Sequence, residues 1–292
     1  MKKGFFWLLG IYLCVLFGAA IVAGIAFDAV QIIAQKTSTH WIQYLAHKPL
    51  SQYVDRLRLV GFFLVAIPII CKYYHIKQRC LGLRFNGTAY LITFCRGCLL
   101  WCFLFGLIAY LLKNITVTGA NISLFNIFIA SLLLATIEEV IFRGVCFEAI
   151  HKKHSCKISI ILLGLLFACL HFSICREIKS DDSSIVRALQ CALSSIVDIG
   201  KNIQWPYFFC LFLLNGILVR FRLIYRSLWA SIGFHQGLVF MLMLIRKRYH
   251  FAPSSSEFLG TGRLTDAWLV VIILLIINRL MRRYISSHEK SI

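Results

Sequence analysis

Eight apolar runs, each near the length of a membrane span, constrain this chain more than any other feature of its sequence. A helix needs about 20 mostly apolar residues to cross the hydrocarbon core of a bilayer. No segment shows the alternation of transmembrane β-barrel strands. We therefore expect an all-α, polytopic helical membrane protein with about eight transmembrane helices. They are predicted at residues 5–27, 59–76, 88–112, 122–147, 158–175, 204–221, 228–245 and 266–285.

The composition agrees with a membrane protein. Hydrophobic residues make up 60% of the chain and charged residues 15%, whereas soluble domains have about 45–50% and about 25%. This excludes an ordinary soluble globule and a disordered chain. The formal charge is +19, but the cations lie mostly between the apolar runs, where they face anionic headgroups. We expect membrane lipids as partners, and no nucleic acid.

Twelve cysteines do not indicate a disulfide framework, because most of them lie in or beside the apolar runs. There a thiol behaves as a small buried hydrophobe. Cys95 and Cys98 form a lone Cys-x-x-Cys inside a predicted span, without the second pair that a zinc site of this type needs.

The segment 176–203 separates two predicted spans and contains Glu177, Asp181, Asp182 and Asp198. Apolar residues recur at helical spacing from Ile185 onward. Two interpretations remain open for it: an amphipathic helix on the membrane surface and a solvated loop.

Two adjacent carboxylates lie in one apolar run, where a charge without a function is costly. Glu139 and Arg143 are four residues apart, so they share a helix face and are predicted to form an ion pair. Glu138 is rotated by about 100° from that face and has no local partner. Glu138 is therefore the carboxylate that is available to accept a proton.

Two histidines lie in other predicted spans, His171 at the end of one apolar run and His235 within another. A carboxylate that accepts a proton from water, with histidines that orient the water or donate to an oxyanion, permits hydrolysis. One glutamate and two histidines are also a ligand set for zinc. Glu138, His171 and His235 are thus candidate ligands, and a site with a divalent metal and a site without one both remain open.

Three motifs in this order resemble a known family. They are Glu138-Glu139-x-x-x-Arg143, Phe167-x-x-x-His171, and His235 at the end of Ser227-Leu-Trp-Ala-Ser-Ile-Gly-Phe-His235. They are similar to the motifs of the CAAX protease and bacteriocin-processing (CPBP or Abi) family, which includes the type II CAAX prenyl endopeptidases. The resemblance covers roughly residues 84–239.

The resemblance implies an intramembrane endopeptidase whose helices enclose the active site. It implies that Glu138 activates water with His171 as its partner, that Glu139 and Arg143 hold the site together, and that His235 stabilises the oxyanion. A protein or peptide at the membrane would be the substrate. The host would be a bacterial inner membrane, or the endoplasmic reticulum membrane in a eukaryote. On this basis the chain divides into N-terminal transmembrane helices (1–83), a CPBP-like core (84–245) with the insertion 176–203, and a last span with a polar tail (246–292).

One position departs from the family pattern. The third motif usually has Asn or Asp four residues after the histidine, whereas this chain has Val239. Gln236 and Asn215 are the amides considered in its place, although an interhelical hydrogen bond is the favoured explanation of Asn215. The departure motivates an alternative function, a catalytically silent membrane-embedded binding or immunity protein. A transporter that uses the buried carboxylates is a third hypothesis.

Arg96 is a further charge within a predicted span, and it is not assigned to the catalytic set. Its side chain is expected either to pair with a glutamate of the site or to extend to a lipid headgroup.

Overall fold

The computed structural model describes residues 3–77, 81–112, 115–117, 123–173, 175–178, 180–251, 258–260 and 265–289. Within these ranges the chain is helical apart from turns and one small ladder, so the predicted all-α class is confirmed. The helices are α1 (Lys3–Lys36), α2 (His40–Ala46), α3 (Leu50–Gly61), α4 (Ile67–Tyr73), α5 (Gly87–Leu112), α6 (Leu124–Glu139), α7 (Phe147–His151), α8 (Cys156–Leu170), α9 (Ser184–Val197), α10 (Ile199–Asn202), α11 (Trp205–Tyr225), α12 (Leu228–Arg248) and α13 (Trp268–Glu289).

Two π-helical segments and one two-stranded ladder complete the description. The segment Phe62–Ala66 joins α3 to α4, and Val140–Cys146 joins α6 to α7 without interruption of the helix. Strands β1 (Ile115–Val117) and β2 (Tyr249–Phe251) pair antiparallel.

Five of the described helices are long and apolar enough to cross a membrane, and they coincide with five of the predicted spans. They are Trp7–Lys36, Gly87–Leu112, Leu124–His151, Trp205–Tyr225 and Leu228–Arg248. The remaining predictions correspond to the helical stretch from α3 to α4, to α8 and to α13. The chain is thus an integral membrane protein with several spanning helices.

The predicted span 158–175 is shorter than expected, because α8 ends at Leu170. Two i to i−3 hydrogen bonds close the turn that follows, from Phe172 to the Cys169 carbonyl and from Ser173 to the Leu170 carbonyl. The apolar run of the sequence continues past Leu170, where the backbone hydrogen bonds change from the i to i−4 pattern of the helix to the i to i−3 pattern of a turn.

The chain divides into two compact units. The first contains Met1–His75 and Cys169–Ile203, and its core forms where α1, α3 and α9 meet. Helix α9 packs a face of small side chains inward, namely Ser184, Ala188, Cys191, Ala192 and Ser195. Of the two interpretations of 176–203, the helix is therefore observed, while its position on a membrane surface stays a prediction.

The second unit contains Ile76–Ala168 and Gln204–Ile292. Its α5 and α12 approach so closely that glycines replace side chains at the contact. A Cβ atom on Gly233 or Gly237 of α12 would collide with the backbone of α5, and one on Gly97 of α5 with the backbone of α12. Small residues four apart permit this approach between membrane helices. The contact sets the position of α12, which carries His235.

The predicted division at residues 83 and 245 follows the family resemblance and not compactness, and it stays a prediction. All cysteines in the described ranges have free thiols.

Candidate active site

The two glutamates lie at the end of α6, and their environments differ. Glu139 is the last residue of α6 and is fully buried, whereas 16% of the Glu138 side chain is exposed. Directly after Glu139 the helix widens into the π segment Val140–Cys146. Such π segments within α-helices are frequent at functional sites.

Glu139 is the centre of a polar cluster that joins three segments of the second unit. Its Oε1 accepts from Arg143 Nη1 at 2.9 Å and from His235 Nδ1 at 2.7 Å. Its Oε2 accepts from the hydroxyl of Ser231, one turn before His235 on α12. The ion pair expected from the four-residue spacing is thus present, and it has two further partners on another helix.

Arg143 is fully buried and is held by more than its carboxylate. Its guanidinium lies over the Phe167 ring, 4.2 Å from the ring centroid. A cation over an aromatic face is stabilised by the ring quadrupole, more so where water is absent. This contact gives Phe167 of the second motif a structural part in the cluster.

His235 is 5% exposed and lies between the two carboxylates. An ionised carboxylate only accepts hydrogen bonds, so Nδ1 of His235 carries the proton that Glu139 accepts. The other ring nitrogen, Nε2, lies 3.8 Å from Glu138 Oε2. That oxygen is buried and has no hydrogen-bond partner among the described residues. Nε2 and Oε2 therefore face each other and remain available to a substrate or a water molecule.

The structure brings four of the five predicted site residues together: Glu138, Glu139, Arg143 and His235 all lie in the second unit. His171 follows the end of α8, belongs to the first unit and is half-buried. Its place beside Glu138 stays a prediction from the family resemblance.

The two amides considered as substitutes at the Val239 position both have other partners. Gln236 accepts from the Tyr90 hydroxyl, and its Nε2 lies 3.4 Å from the Phe128 carbonyl. Asn215 donates from Nδ2 to the carbonyl of Ile160 at 3.1 Å. Asn215 therefore makes the interhelical hydrogen bond that its position in a span predicts.

The sequence did not predict two contacts near the cluster. Ser231 holds Glu139 as described above, and Arg222 pairs with Glu148 at 2.5 Å while donating to the carbonyl of Arg143. A sequence signal existed for the second contact. Glu148 is the third and last acidic residue between Arg56 and Arg176, and a carboxylate next to an apolar span is costly without a partner.

Arg96 does not pair with a glutamate of the cluster. Its Nη1 donates to the hydroxyl of Tyr225 at 3.0 Å. Of the two expectations, this agrees with a side chain that extends away from the site.

The described residues of the second unit supply two of the three candidate metal ligands. A catalytic zinc ion is bound by three protein ligands in most enzymes, and this unit places two of the candidates, Glu138 and His235, near each other. No group of three or more His, Cys, Asp or Glu side chains that could hold a metal ion occurs in the described ranges.

A family comparison covers the part of the chain that contains this cluster. Residues 120–241 match the family model described as Type II CAAX prenyl endopeptidase Rce1-like. The resemblance read from the motifs is confirmed. The matched segment includes Glu138, Arg143, His171, His235 and Val239, and the family it describes consists of endopeptidases. A comparison with curated proteins gives no match.

Proposed function

We propose that this chain is an intramembrane endopeptidase that cleaves a membrane-associated protein or peptide with a water activated by Glu138, while His235 stabilises the oxyanion. The family match over residues 120–241 supports a protease in general. The observation that carries the finer proposal is the 3.8 Å separation of Glu138 Oε2 from His235 Nε2. A polar separation of this size suits a bridging water that hydrogen-bonds to both atoms.

Glu138 acts as the general base in this proposal. Its carboxylate takes a proton from the bridging water while the water oxygen attacks the carbonyl carbon of the scissile bond. The C–N bond of the tetrahedral intermediate then breaks as the proton passes from Glu138 to the leaving nitrogen. His171 is the proposed partner of Glu138 in positioning the water.

His235 stabilises the oxyanion of the intermediate through Nε2. Because Nδ1 donates to Glu139, Nε2 donates only when the ring holds both protons. The carboxylates of Glu138 and Glu139 offset the charge of that ring. Glu139 and Arg143 act as positioning residues. Glu139 holds the ring of His235, and Arg143 holds the carboxylate of Glu139.

The experiment compares protein termini in membranes from cells that produce either the wild type or Glu138→Gln at matched levels. Termini that require the wild type would identify the substrate and the depth of the cleaved bond. Glu177→Gln is the matched control, because it removes a carboxylate of the first unit that pairs with Arg187. The proposal fails if Glu138→Gln, once shown to be folded, produces the same termini as the wild type.

A second candidate function is a catalytically silent binding or immunity protein of the same fold. It is favoured by Val239, which cannot donate a hydrogen bond to an oxyanion. The two amides considered in its place are hydrogen-bonded to other groups, Gln236 to Tyr90 and Asn215 to Ile160. This candidate predicts that the biological effect survives when Glu138 and His171 are both replaced. It also predicts that Val239→Asn leaves the effect unchanged, whereas an enzyme short of one oxyanion donor would gain activity.

The metal content and the host membrane stay predictions. For the metal, the alternatives are a divalent ion bound by Glu138, His171 and His235, and a site without a metal. For the host, they are a bacterial inner membrane and an endoplasmic reticulum membrane.

A further inference from the structure

Arg96 is an exposed cation well inside a membrane-spanning helix. It lies nine residues after the start of α5 at Gly87, roughly 13 Å along the helix. A cation at this depth is costly unless its long side chain reaches a polar group.

The side chain of Arg96 reaches the end of a neighbouring helix. Its Nη1 donates to the hydroxyl oxygen of Tyr225, the last residue of α11. Tyrosine is enriched at the membrane–water interface, and the next residue, Arg226, is exposed. The guanidinium is thus directed toward the level of the headgroups. The hydroxyl of Tyr225 accepts from Arg96, so its own hydrogen is left to donate.

No carboxylate neutralises Arg96 within the described part of the second unit. Two of the three acidic residues in this stretch of sequence have other cationic partners, since Glu139 pairs with Arg143 and Glu148 with Arg222. The third, Glu138, lies beside His235 and forms no ion pair with Arg96. The positive charge of Arg96 is therefore available to an anion from outside the chain.

An apolar cavity of about 610 Å³ lies beside this cation, between α5, α11, α12 and α13. Its volume is within the range of about 300–1,000 Å³ that is usual for ligand sites. Arg96, Tyr225 and Tyr284 are the lining residues with polar side-chain groups. The rest of the wall is apolar and includes Leu100, Ile217, Phe221, Phe234, Ile277 and Met281.

We propose that this cavity, the α5–α13 cavity, binds an anionic phospholipid. The phosphate accepts from Arg96 and from the Tyr225 hydroxyl, and an acyl chain occupies the apolar part. Charge-assisted hydrogen bonds from a guanidinium to a phosphate are short and strong, which favours an anionic over a zwitterionic lipid. The site does not depend on the proposed catalytic function, because none of the predicted catalytic residues lines the cavity.

Native mass spectrometry of the full chain in detergent tests this site. The protein is incubated with equal amounts of phosphatidylglycerol and phosphatidylcholine that have identical acyl chains. We expect the wild type to retain phosphatidylglycerol about tenfold more than phosphatidylcholine, and Arg96→Gln to lose this preference. Tyr225→Phe should reduce it in part, and Leu100→Trp should reduce binding of both lipids by filling the cavity.

Arg248→Gln is the matched control, since Arg248 is an exposed arginine at the end of α12, away from the cavity. It should bind like the wild type. Circular dichroism and thermal unfolding without added lipid check that each variant is folded. If Arg96→Gln is unfolded, the lipid preference of Tyr225→Phe is the deciding measurement.

Three results would overturn the proposal. One is equal retention of both lipids by the wild type, and a second is an unchanged preference in the folded Arg96→Gln and Tyr225→Phe variants. The third is retention of a peptide segment in place of a lipid. Glycerol phosphate alone is a further probe, and its binding at the same affinity as the intact lipid would exclude a contribution of the acyl chain.

Discussion

The imidazole of His235 donates from Nδ1 to Glu139 Oε1 over 2.7 Å, between residues 96 positions apart in the chain. This hydrogen bond joins α12 to the end of α6 and fixes the orientation of the ring. It directs the other nitrogen toward Glu138, so the two adjacent glutamates have different roles around one histidine. Glu139 holds the ring, and Glu138 faces its other nitrogen, Nε2.

Substitutions of the two glutamates should separate activity from stability. Glu138→Gln should lower the cleavage rate by about 10²–10⁴, the usual contribution of a general base, with little effect on thermal unfolding. Glu139→Gln should instead lower the free energy of unfolding by about 3–5 kcal/mol, because Arg143 stays buried without its carboxylate. Both quantities are measured on purified protein in detergent. Equal loss of stability in the two variants would contradict the distinct roles.

His235→Asn and His235→Ala should differ in stability and agree in activity. The asparagine Nδ2 can replace the Nδ1 donor to Glu139 but offers nothing at the position of Nε2. We therefore expect His235→Asn to unfold near the wild-type temperature and His235→Ala to unfold earlier. Neither should cleave substrate. An active His235→Asn variant would show that Nε2 takes no part in the reaction.

Ser231→Ala should destabilise the protein by about 1–3 kcal/mol, the cost of leaving a buried acceptor without its donor. The lost donor is the hydroxyl that binds Glu139 Oε2. Ser194→Ala is the control, because that hydroxyl donates to a carbonyl of its own helix, that of Cys191. Chemical denaturation with a folded-state signal from tryptophan fluorescence measures both. A Ser231→Ala variant as stable as Ser194→Ala would place the hydroxyl outside the cluster.

Gly237→Ala should disturb the contact between α5 and α12. The added methyl group would meet the carbonyl of Phe94 and, at 2.9 Å, the backbone nitrogen of Cys98, and overpacking of this kind costs about 1–3 kcal/mol. Gly106→Ala on α5 is the control, since nothing lies within 4 Å of that position. It should be neutral or stabilising by up to about 1 kcal/mol. Thermal midpoints in one detergent compare the two, and the close packing is refuted if Gly237→Ala is as stable as Gly106→Ala.

Much of the helical layout is local, and local features are predictable from the sequence. The apolar runs predicted all five helices of the described ranges that are both long and apolar enough to span, since backbone groups in a bilayer must be satisfied within the helix. The pair of Glu139 and Arg143 was predictable because residues four apart meet on one helix face. The boundary of α8 was not predictable in the same way, because the side chains remain apolar where the backbone turns.

The contacts between helices depend on how each helix is rotated, which periodicity alone does not reveal. Asn215 had two open interpretations, and the Ile160 carbonyl opposite it decided for the interhelical hydrogen bond. The partner of Arg96, the Tyr225 hydroxyl, was in neither of its two interpretations. The role of Ser231 had no signal, since a serine on an apolar helix most often binds a carbonyl of its own helix.

By itself the sequence determined that this is a helical membrane protein with two carboxylates that require a purpose, because burial of charge in lipid is costly wherever the helix lies. It also carried the three motifs of a protease family. Only the tertiary structure decided which carboxylate binds the imidazole and which one faces the remaining nitrogen. That choice depends on the register of α12 against α5 and α6, and the register follows from close packing at glycines and from hydrogen bonds between residues far apart in the chain.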